Sequence, residues 1–170
     1  MKILFLSPYP HGTAPSQRFR YEQYLSFLKS QKIVLVEKSF LDQTTWNILY
    51  QPGKAVQKAF GILKGFIKRF FLLFTLTSYD YVFIHREVAP IGPPWIEWCI
   101  AKIWRKKIIY DYDDAIWLAN TSEVNKMVAQ LKWHHKVSQI SKWAYKVSCG
   151  NDYLCDYARQ VNNHVIYNPT

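Results

Sequence analysis

Short apolar runs recur along this chain, and segments with helical spacing or turn residues separate them. Such runs are typical of strands that are buried on both faces. The predicted strands cover residues 2–7, 33–36, 81–84, 107–110, 146–149 and 165–167, and the predicted helices cover residues 16–29, 54–77, 95–104, 124–143 and 153–161. Their alternation predicts an α/β fold with a Rossmann-like, doubly wound, mainly parallel sheet that carries helices on both faces. The length fits one domain with its own core.

The chain is strongly basic, because 22 Lys and Arg residues against 12 Asp and Glu residues give a net charge of +10. A basic surface favours partners that carry phosphate, such as nucleic acid, anionic lipid or a nucleotide-linked substrate. Charge alone does not choose among these. The three cysteines lack metal-ligand spacing, and they predict buried thiols in a reducing, cytoplasmic setting. Pro8 and Pro10 end the first apolar run too early for a secretion signal.

Three carboxylates, Asp111, Asp113 and Asp114, directly follow the predicted strand at residues 107–110. Ligands of open α/β sheets bind beyond the carboxyl ends of the strands, so these acids are the main candidates for chemistry. A turn or a helix cap would explain the same residues without any function. A further alternative is a magnesium or manganese site, with bound nucleotide, at Asp111 and Asp113.

Other polar residues are predicted near the same edge of the sheet. Gly12 follows the first strand and either approaches a phosphate through backbone amides or only forms a turn. Arg18 and Arg20, early in the first helix, suit a phosphate or carboxylate, or are simply solvated. Arg86 and Glu87 follow the third strand, where a local ion pair is the alternative. The sequence contains no glycine-rich dinucleotide motif, no P-loop and no zinc-binding histidine pattern, so we predict no metal.

The predicted helix at residues 54–77 is the second notable feature. Its basic residues share an arc with Gly61 and Gly65, large apolar residues fill the rest, and no acid occurs from residue 51 to 79. Such a helix is typical of an element that contacts an anionic membrane surface or a partner, and its charges exclude a membrane span. The alternative is a core-packed helix with a solvated basic face. The predicted membrane contacts are Lys54, Lys58, Lys64, Lys68 and Arg69.

Several segments together resemble a known family. They are KILFLSPYP (2–10), SQRFR (16–20), HRE (85–87), YDYDDAIW (110–117), VSCGNDYL (147–154) and VIYNPT (165–170). In this order and spacing they resemble the N-terminal half of a GT-B glycosyltransferase, most closely the retaining family called group 1 or family four. The resemblance spans nearly the whole chain.

The resemblance implies a protein with two Rossmann-like domains that face each other across a cleft. Residues 1–170 would be the N-terminal, acceptor-binding domain. A C-terminal domain that binds the sugar nucleotide is expected to be absent from this chain, which alone would be inactive. The implied activity is hexosyl transfer, with retention, from a nucleotide-sugar donor to a glycan or lipid-linked acceptor in surface polysaccharide biosynthesis. No metal or other cofactor is implied, and the implied location is cytoplasmic, including the inner face of the membrane.

The resemblance also suggests roles for particular residues. Gly12 matches the loop that approaches the donor phosphate in these enzymes. Asp113 and Asp114 match a loop in which relatives commonly carry a His-Asp pair. Since this chain lacks the histidine, we expect the two acids to orient an acceptor hydroxyl rather than to act as nucleophiles. The expected acceptor contacts are His11, Arg18, Arg86 and Glu87.

A function of a different class is also consistent with the sequence. It is a non-catalytic docking module that places the basic amphipathic helix on a membrane or a protein. Salt-sensitive binding to vesicles without any sugar ligand would favour this alternative. The charge permits nucleic-acid binding as well, but the sequence has no recognised nucleic-acid motif, so we expect no such partner.

Overall fold

The computed structural model describes residues 1–118, 133 and 135–169, and the core of these residues is one six-stranded parallel sheet. The strands are β1 (Lys2–Ser7), β2 (Val34–Ser39), β3 (Tyr81–His85), β4 (Lys107–Tyr112), β5 (Lys146–Cys149) and β6 (Val165–Tyr167). Across the sheet their order is β2-β1-β3-β4-β5-β6, and each adjacent pair is parallel. The predicted α/β, doubly wound class is confirmed.

Helices provide the crossovers between these strands. Those described are α1 (Pro15–Arg20), α2 (Leu25–Ser30), α3 (Gln43–Ile48), α4 (Ala55–Leu73), α5 (Trp95–Trp98), α6 (Lys136–Trp143) and α7 (Asp152–Arg159), with a π turn at Cys99–Ile103. The first predicted helix is divided in two, and Ala14 rather than Ser16 is the residue before it. Pro15 begins α1 because its fixed φ and missing N–H suit the first helical position. Of the helix predicted at residues 124–143, the part before residue 136 lies outside the described residues except for residues 133 and 135.

Buried side chains form two clusters, one on each face of the sheet, because successive residues of a strand point to opposite faces. In β1, Leu4 and Leu6 belong to the larger cluster, and Ile3 and Phe5 belong to the smaller one. The larger cluster also contains Leu73 of α4, Ile96 of α5, Ile140 of α6 and Ala158 of α7. The smaller one contains Tyr21 and Leu25. Helices α4 to α7 therefore cover one face, and the α1–α2 segment covers part of the other.

Helix α4 approaches the rest of the domain most closely through its small residues. Its buried residues are Gly61, Gly65, Arg69 and Leu73, which recur every fourth position. A Cβ atom on Gly61 would lie 2.3 Å from the side chain of Thr45, and one on Gly65 would lie 2.6 Å from the ring of Phe40. Only glycine allows so close an approach, so the two glycines set the distance at which this helix packs. Apolar contact comes from Leu73 and from the half-buried Ile62, Phe66 and Leu72. The predicted arc of basic residues thus overlaps the buried face.

Arg69 is buried, so its predicted contact with a membrane is wrong. The residue is 2% exposed, and its guanidinium donates hydrogen bonds to the carbonyl oxygens of Ser7, Lys38 and Val88 at 2.9 to 3.0 Å. It therefore joins the ends of β1 and β2 to the loop after β3. Burial lowers the pKa of Arg69 to about 10, because the charged form loses its hydration.

The other predicted membrane contacts on α4 are the four lysines. Lys64 and Lys68 are exposed along the helix. The Lys64 ammonium lies 2.8 Å from the carboxylate of Asp42, and this hydrogen bond helps to hold the pKa of Asp42 well below its usual value. Lys54 and Lys58, at the start of the helix, both donate to Gln51. None of the described helices is both long and apolar enough to cross a bilayer.

Candidate functional site

The order of the strands changes direction between β1 and β3. From β1 the chain crosses to β2 on one side, and it then returns past β1 to β3 on the other. The loops that follow β1 and β3 therefore diverge and leave a crevice at the carboxyl edge of the sheet. Ligands of open α/β sheets bind at such switch points, so this crevice is the first place to look for function.

A small cleft with aromatic and charged walls lies at this switch point. Its lining consists of Pro8, Tyr9, Arg86, Glu87, Ile116, Trp117, Trp133, Lys136 and Val137. The cavity measures about 70 Å³, whereas pockets that enclose a whole drug-sized ligand measure roughly 300–1,000 Å³. The cleft therefore accepts one edge of a ligand and cannot enclose a nucleotide sugar.

Arg86 is held at the rim of this cleft in an unusual backbone conformation. Its φ of 63° is left-handed, which a non-glycine residue adopts at a cost and which is common at functional sites. Its amide donates to the carbonyl of Asp111 at 2.7 Å, and the Tyr110 hydroxyl donates to the Arg86 carbonyl at 2.8 Å. Its guanidinium lies 2.7 Å from the carboxylate of Asp114. Two predicted site residues on separate loops thus form one ion pair.

Lys136, the first residue of α6, was not identified from the sequence as a site residue. Its buried ammonium donates to the carbonyl of Ala89 at 2.7 Å and lies 3.3 Å from the carboxylate of Glu87. Glu97 is buried nearby and accepts a hydrogen bond from the amide of Val88 at 3.1 Å. Burial raises the pKa of Glu97, and the charge of Lys136 opposes that rise. The buried groups of Lys136 and Glu97, which carry opposite charges, therefore lie directly beneath the cleft.

Asp111 belongs to β4 and is buried, whereas the sequence analysis placed it in a loop. Both of its carboxylate oxygens accept from the guanidinium of Arg20, and the Nδ1 atom of His85 donates to Oδ2 at 2.9 Å. Burial raises the pKa of Asp111, but the hydrogen bonds from His85 and Arg20 outweigh burial and leave this pKa below its usual value. Arg20 also donates to the hydroxyl of Ser148 and the carbonyl of Asn168. This one arginine therefore connects α1 with β4, β5 and the end of β6.

His85 extends this network to Ser16, whose Oγ atom lies 3.0 Å from Nε2 of the imidazole. A carboxylate only accepts hydrogen bonds, so Nδ1 carries the proton, and in the neutral ring Nε2 accepts from the Ser16 hydroxyl. A hydroxyl, an imidazole and a carboxylate in this order also define a nucleophilic triad. Here the imidazole is completely buried, and Arg20 shares the carboxylate. We therefore interpret the network as a connection that positions α1 on the sheet.

Asp113 differs from Asp111 because part of its carboxylate is unsatisfied. Its Oδ1 atom is buried and has no hydrogen-bond partner among the described residues. Gly150 lies against it, since a Cβ at that position would be 3.0 Å from the Cα atom of Asp113. Because Arg20 and His85 occupy both oxygens of Asp111, a cation shared by Asp111 and Asp113 would have to displace them. This geometry disfavours the magnesium alternative. Asp113 does not belong to the cleft lining, and its Oδ1 atom is buried.

Two carboxylates, those of Glu22 and Glu37, accept hydrogen bonds from the loop after β1. Gly12 has a φ of +75°, and its amide donates to both carboxylate oxygens of Glu22 at 3.0 and 3.2 Å. The Nδ1 atom of His11 lies 2.8 Å from the carboxylate of Glu37, and this hydrogen bond raises the pKa of His11. The amide of Gly12 is already bonded to Glu22, and the carboxylates of Glu22 and Glu37 would repel a phosphate. The predicted phosphate contact at Gly12 is therefore disfavoured.

His11, Glu22 and Glu37 also form a group that could hold a cation. One ligand atom of each lies within 4.8 Å of the others, and this is the only such group found in the part of the chain that the structure describes. The hydrogen bonds of these residues to one another and to Gly12 already account for their arrangement. The prediction that the protein needs no metal stays a prediction.

The predicted acceptor contacts are separated in the structure. Arg86 and Glu87 line the cleft, whereas His11 lies in the carboxylate group described above. Arg18 is exposed on α1 and does not belong to the cleft lining, and the buried contacts of that helix are made by Arg20 instead. The sequence pattern could not show which of Arg18 and Arg20 is buried. That depends on partners in strands more than 90 positions away.

No known protein family matches this sequence, and no curated protein matches it significantly. A doubly wound sheet supports many unrelated activities, so the fold alone does not define the function. The function must therefore be argued from the residues of the cleft.

Proposed function

We propose that this chain is the N-terminal, acceptor-binding domain of a retaining GT-B glycosyltransferase. The reaction would transfer a hexose from a nucleotide-sugar donor to a glycan or lipid-linked acceptor in surface polysaccharide biosynthesis. The observation that carries the proposal is the cleft at the switch point, where the aromatic rings of Tyr9 and Trp117 lie beside Arg86 and Glu87. A sugar offers apolar C–H faces and hydroxyl groups together, and a cleft with aromatic and charged walls complements both.

The proposed roles follow from the hydrogen-bonding capacity of each group. Arg86 donates to acceptor oxygens, and Glu87 accepts from acceptor hydroxyls. Asp113 lies outside the cleft lining and its Oδ1 atom is buried, so no contact with the acceptor is proposed for it. Asp114 positions Arg86 through their ion pair. No protein nucleophile takes part in this proposal.

The size of the cleft supports a protein in which one domain binds the acceptor and another binds the donor. A cavity of about 70 Å³ cannot enclose a nucleotide sugar, and the amide of Gly12 is already bound to Glu22. The donor would therefore be bound mainly by a second, C-terminal domain, as in the enzymes that the sequence resembles. The proposed location is the cytoplasm, at the inner face of the membrane.

A glycan array tests the acceptor site directly on the 170-residue chain. We expect the fluorescently labelled chain to bind a subset of the immobilised glycans, and Arg86→Ala to reduce that affinity about tenfold, as for a lost hydrogen bond to a charged group. Arg105→Ala is the matched control. Arg105 shares the left-handed backbone conformation of Arg86, with a φ of 49°, and it is exposed before β4, at the opposite edge of the sheet. Equal losses in the two variants would contradict the proposed site.

Calorimetry with UDP- and GDP-sugars, with and without Mn²⁺, tests the assignment of the donor to another domain. We expect weak or undetectable binding in both conditions. Tight binding that requires Mn²⁺ would contradict the GT-B assignment and would place a metal-nucleotide site on this domain.

A further inference from the structure

The outward face of α4 is apolar along its whole length. Its exposed large residues are Val56, Phe60, Leu63, Ile67, Phe70 and Phe71, and Phe74 follows at the end of the helix. Intervals of three and four place them on one face of a helix. Val56 is 82% exposed and Phe60 is 69% exposed, so these side chains are directed into solvent. No other described residue covers this face.

This arrangement results from the inward glycines. Because Gly61 and Gly65 lie at the centre of the surface that packs on the domain, the large apolar residues on the opposite side of α4 are left outside. Single exposed apolar residues are ordinary, but a continuous apolar face on a soluble domain marks a surface that binds something. The lysines and Arg69 were the predicted contacts. In the structure the aromatic face is the exposed surface, and the lysines border it.

The charge around this face indicates what covers it. No acid occurs from residue 51 to 79, and Lys64 and Lys68 are exposed beside the apolar residues. A second copy of the chain docked face to face would bring these lysines together without compensating acids on the helix. An anionic bilayer instead offers an apolar interior to the aromatic residues and negative headgroups to the lysines.

Two open grooves along the helix combine exposed apolar side chains with a lysine. One is lined in part by Phe60 and Lys64, and its volume is about 540 Å³. The other is lined in part by Phe71 and Lys68, and its volume is about 680 Å³. Each groove has apolar walls with a lysine at the edge and one carboxylate in its lining, Asp42 in the first and Glu37 in the second. Lys64 is paired with Asp42, so Lys68 is the lysine left for an anionic headgroup above the acyl chain.

We propose that α4 lies in the plane of an anionic bilayer, with its aromatic face inserted among the acyl chains and with Lys64 and Lys68 at the level of the headgroups. The contact is interfacial, because the helix stays packed on the sheet through its glycines and Arg69. It does not depend on the transferase proposal, since no residue of the cleft takes part.

Co-sedimentation of the 170-residue chain with vesicles tests this contact. We expect binding to vesicles of phosphatidylcholine mixed with phosphatidylglycerol, and weaker binding to phosphatidylcholine alone. The combined variant Phe60→Ser, Leu63→Ser and Ile67→Ser should lower the partition coefficient by at least roughly tenfold, because each residue loses apolar surface that the bilayer would bury. Added salt should weaken the binding of the wild type without abolishing it, since only the lysine contribution is screened.

The matched control replaces exposed apolar residues on the opposite side of the sheet, with Phe19→Ser, Tyr24→Ser and Phe27→Ser combined. This control should bind vesicles like the wild type, and circular dichroism should show that both variants stay folded. The proposal is overturned if the α4 variant binds like the wild type or if the control loses as much. It is also overturned if the chain ignores vesicles but forms a dimer that the α4 variant abolishes, because the face would then be an interface between copies.

Discussion

Two arginines are buried at the carboxyl edge of the sheet, one on each face, and their partners differ in kind. Arg20 meets a carboxylate, that of Asp111, whereas Arg69 meets three carbonyl oxygens. Burial lowers the pKa of Arg20, but Asp111 outweighs it and leaves this pKa raised. The pKa of Arg69 falls to about 10, because the charge of Glu97 offsets only part of the effect of burial.

The difference shows two ways to keep a cation inside a protein. An opposite charge gives the stronger attraction, but the pair then depends on both members, because removal of one leaves the other buried and uncompensated. Carbonyl groups attract the cation less strongly, yet they do not titrate, and they are less costly to leave unpaired because they carry no net charge. The two regions should therefore respond differently to mutation and to acid.

Arg20→Met should have the largest effect, a loss of about 3–5 kcal/mol in the free energy of unfolding, because it leaves the Asp111 carboxylate buried without its main partner. Urea denaturation measures the loss. Adding Asp111→Asn to Arg20→Met should recover part of it, because the second change removes the uncompensated charge.

The control for this prediction is Arg18→Met, on the same helix at an exposed position. It should change stability by no more than about 0.5 kcal/mol. A loss for Arg20→Met as small as that of the control would mean that the Arg20–Asp111 pair contributes no net stability.

Arg69→Met should cost less, about 2–3 kcal/mol, because it leaves only neutral carbonyl groups without a donor. Lys68→Met changes the neighbouring exposed residue and should be close to neutral in the same denaturation experiment. If Arg69→Met proved more destabilising than Arg20→Met, the contrast between charge pairing and carbonyl pairing would be wrong.

The smallest expected effect is a change in how stability depends on pH in acid when Asp111 is replaced. The pKa of Asp111 in the folded chain lies below its usual value, so its contribution to stability is fully present above about pH 4 and is lost as the pH falls toward the folded pKa. Asp111→Asn should therefore flatten the decline of stability in acid, measured by urea denaturation across that range. Arg69→Met should leave the decline unchanged. Parallel curves for Asp111→Asn and the wild type would contradict the proposed dependence on ionisation.

Local sequence patterns were sufficient to predict the strands of the sheet and the fold class. The strands at residues 146–149 and 165–167 have the predicted bounds, because short apolar runs between turn residues depend little on distant partners. The prediction for β4 stopped before Asp111, since a carboxylate reads as the end of a buried strand. Its partner Arg20 lies 91 positions away, and no local rule connects the two.

The packing face of α4 could not be derived from a helical wheel, for a physical reason. A helical wheel assumes that large apolar residues pack inward and that small or charged ones face water. Here the packing face is centred on Gly61, Gly65 and Arg69, which contribute close approach and hydrogen bonds to carbonyls beside the apolar contact of Leu73. In the cleft, Arg86 and Glu87 could be predicted from their place after a strand, whereas Lys136 could not, because its role depends on where α6 begins.

The contacts of Arg20 also set an order of events during synthesis on the ribosome. Its partners Asp111, Ser148 and Asn168 follow it by 91, 128 and 148 positions. At about 5–20 residues per second, the last of them is made roughly 7 to 30 s after the arginine. The Asp111 carboxylate is made roughly 5 to 18 s after the arginine at the same rate, and before that the cation of Arg20 has no partner of opposite charge. Helix α1 is therefore expected to complete its contacts only after β6 has been made, although it is translated early.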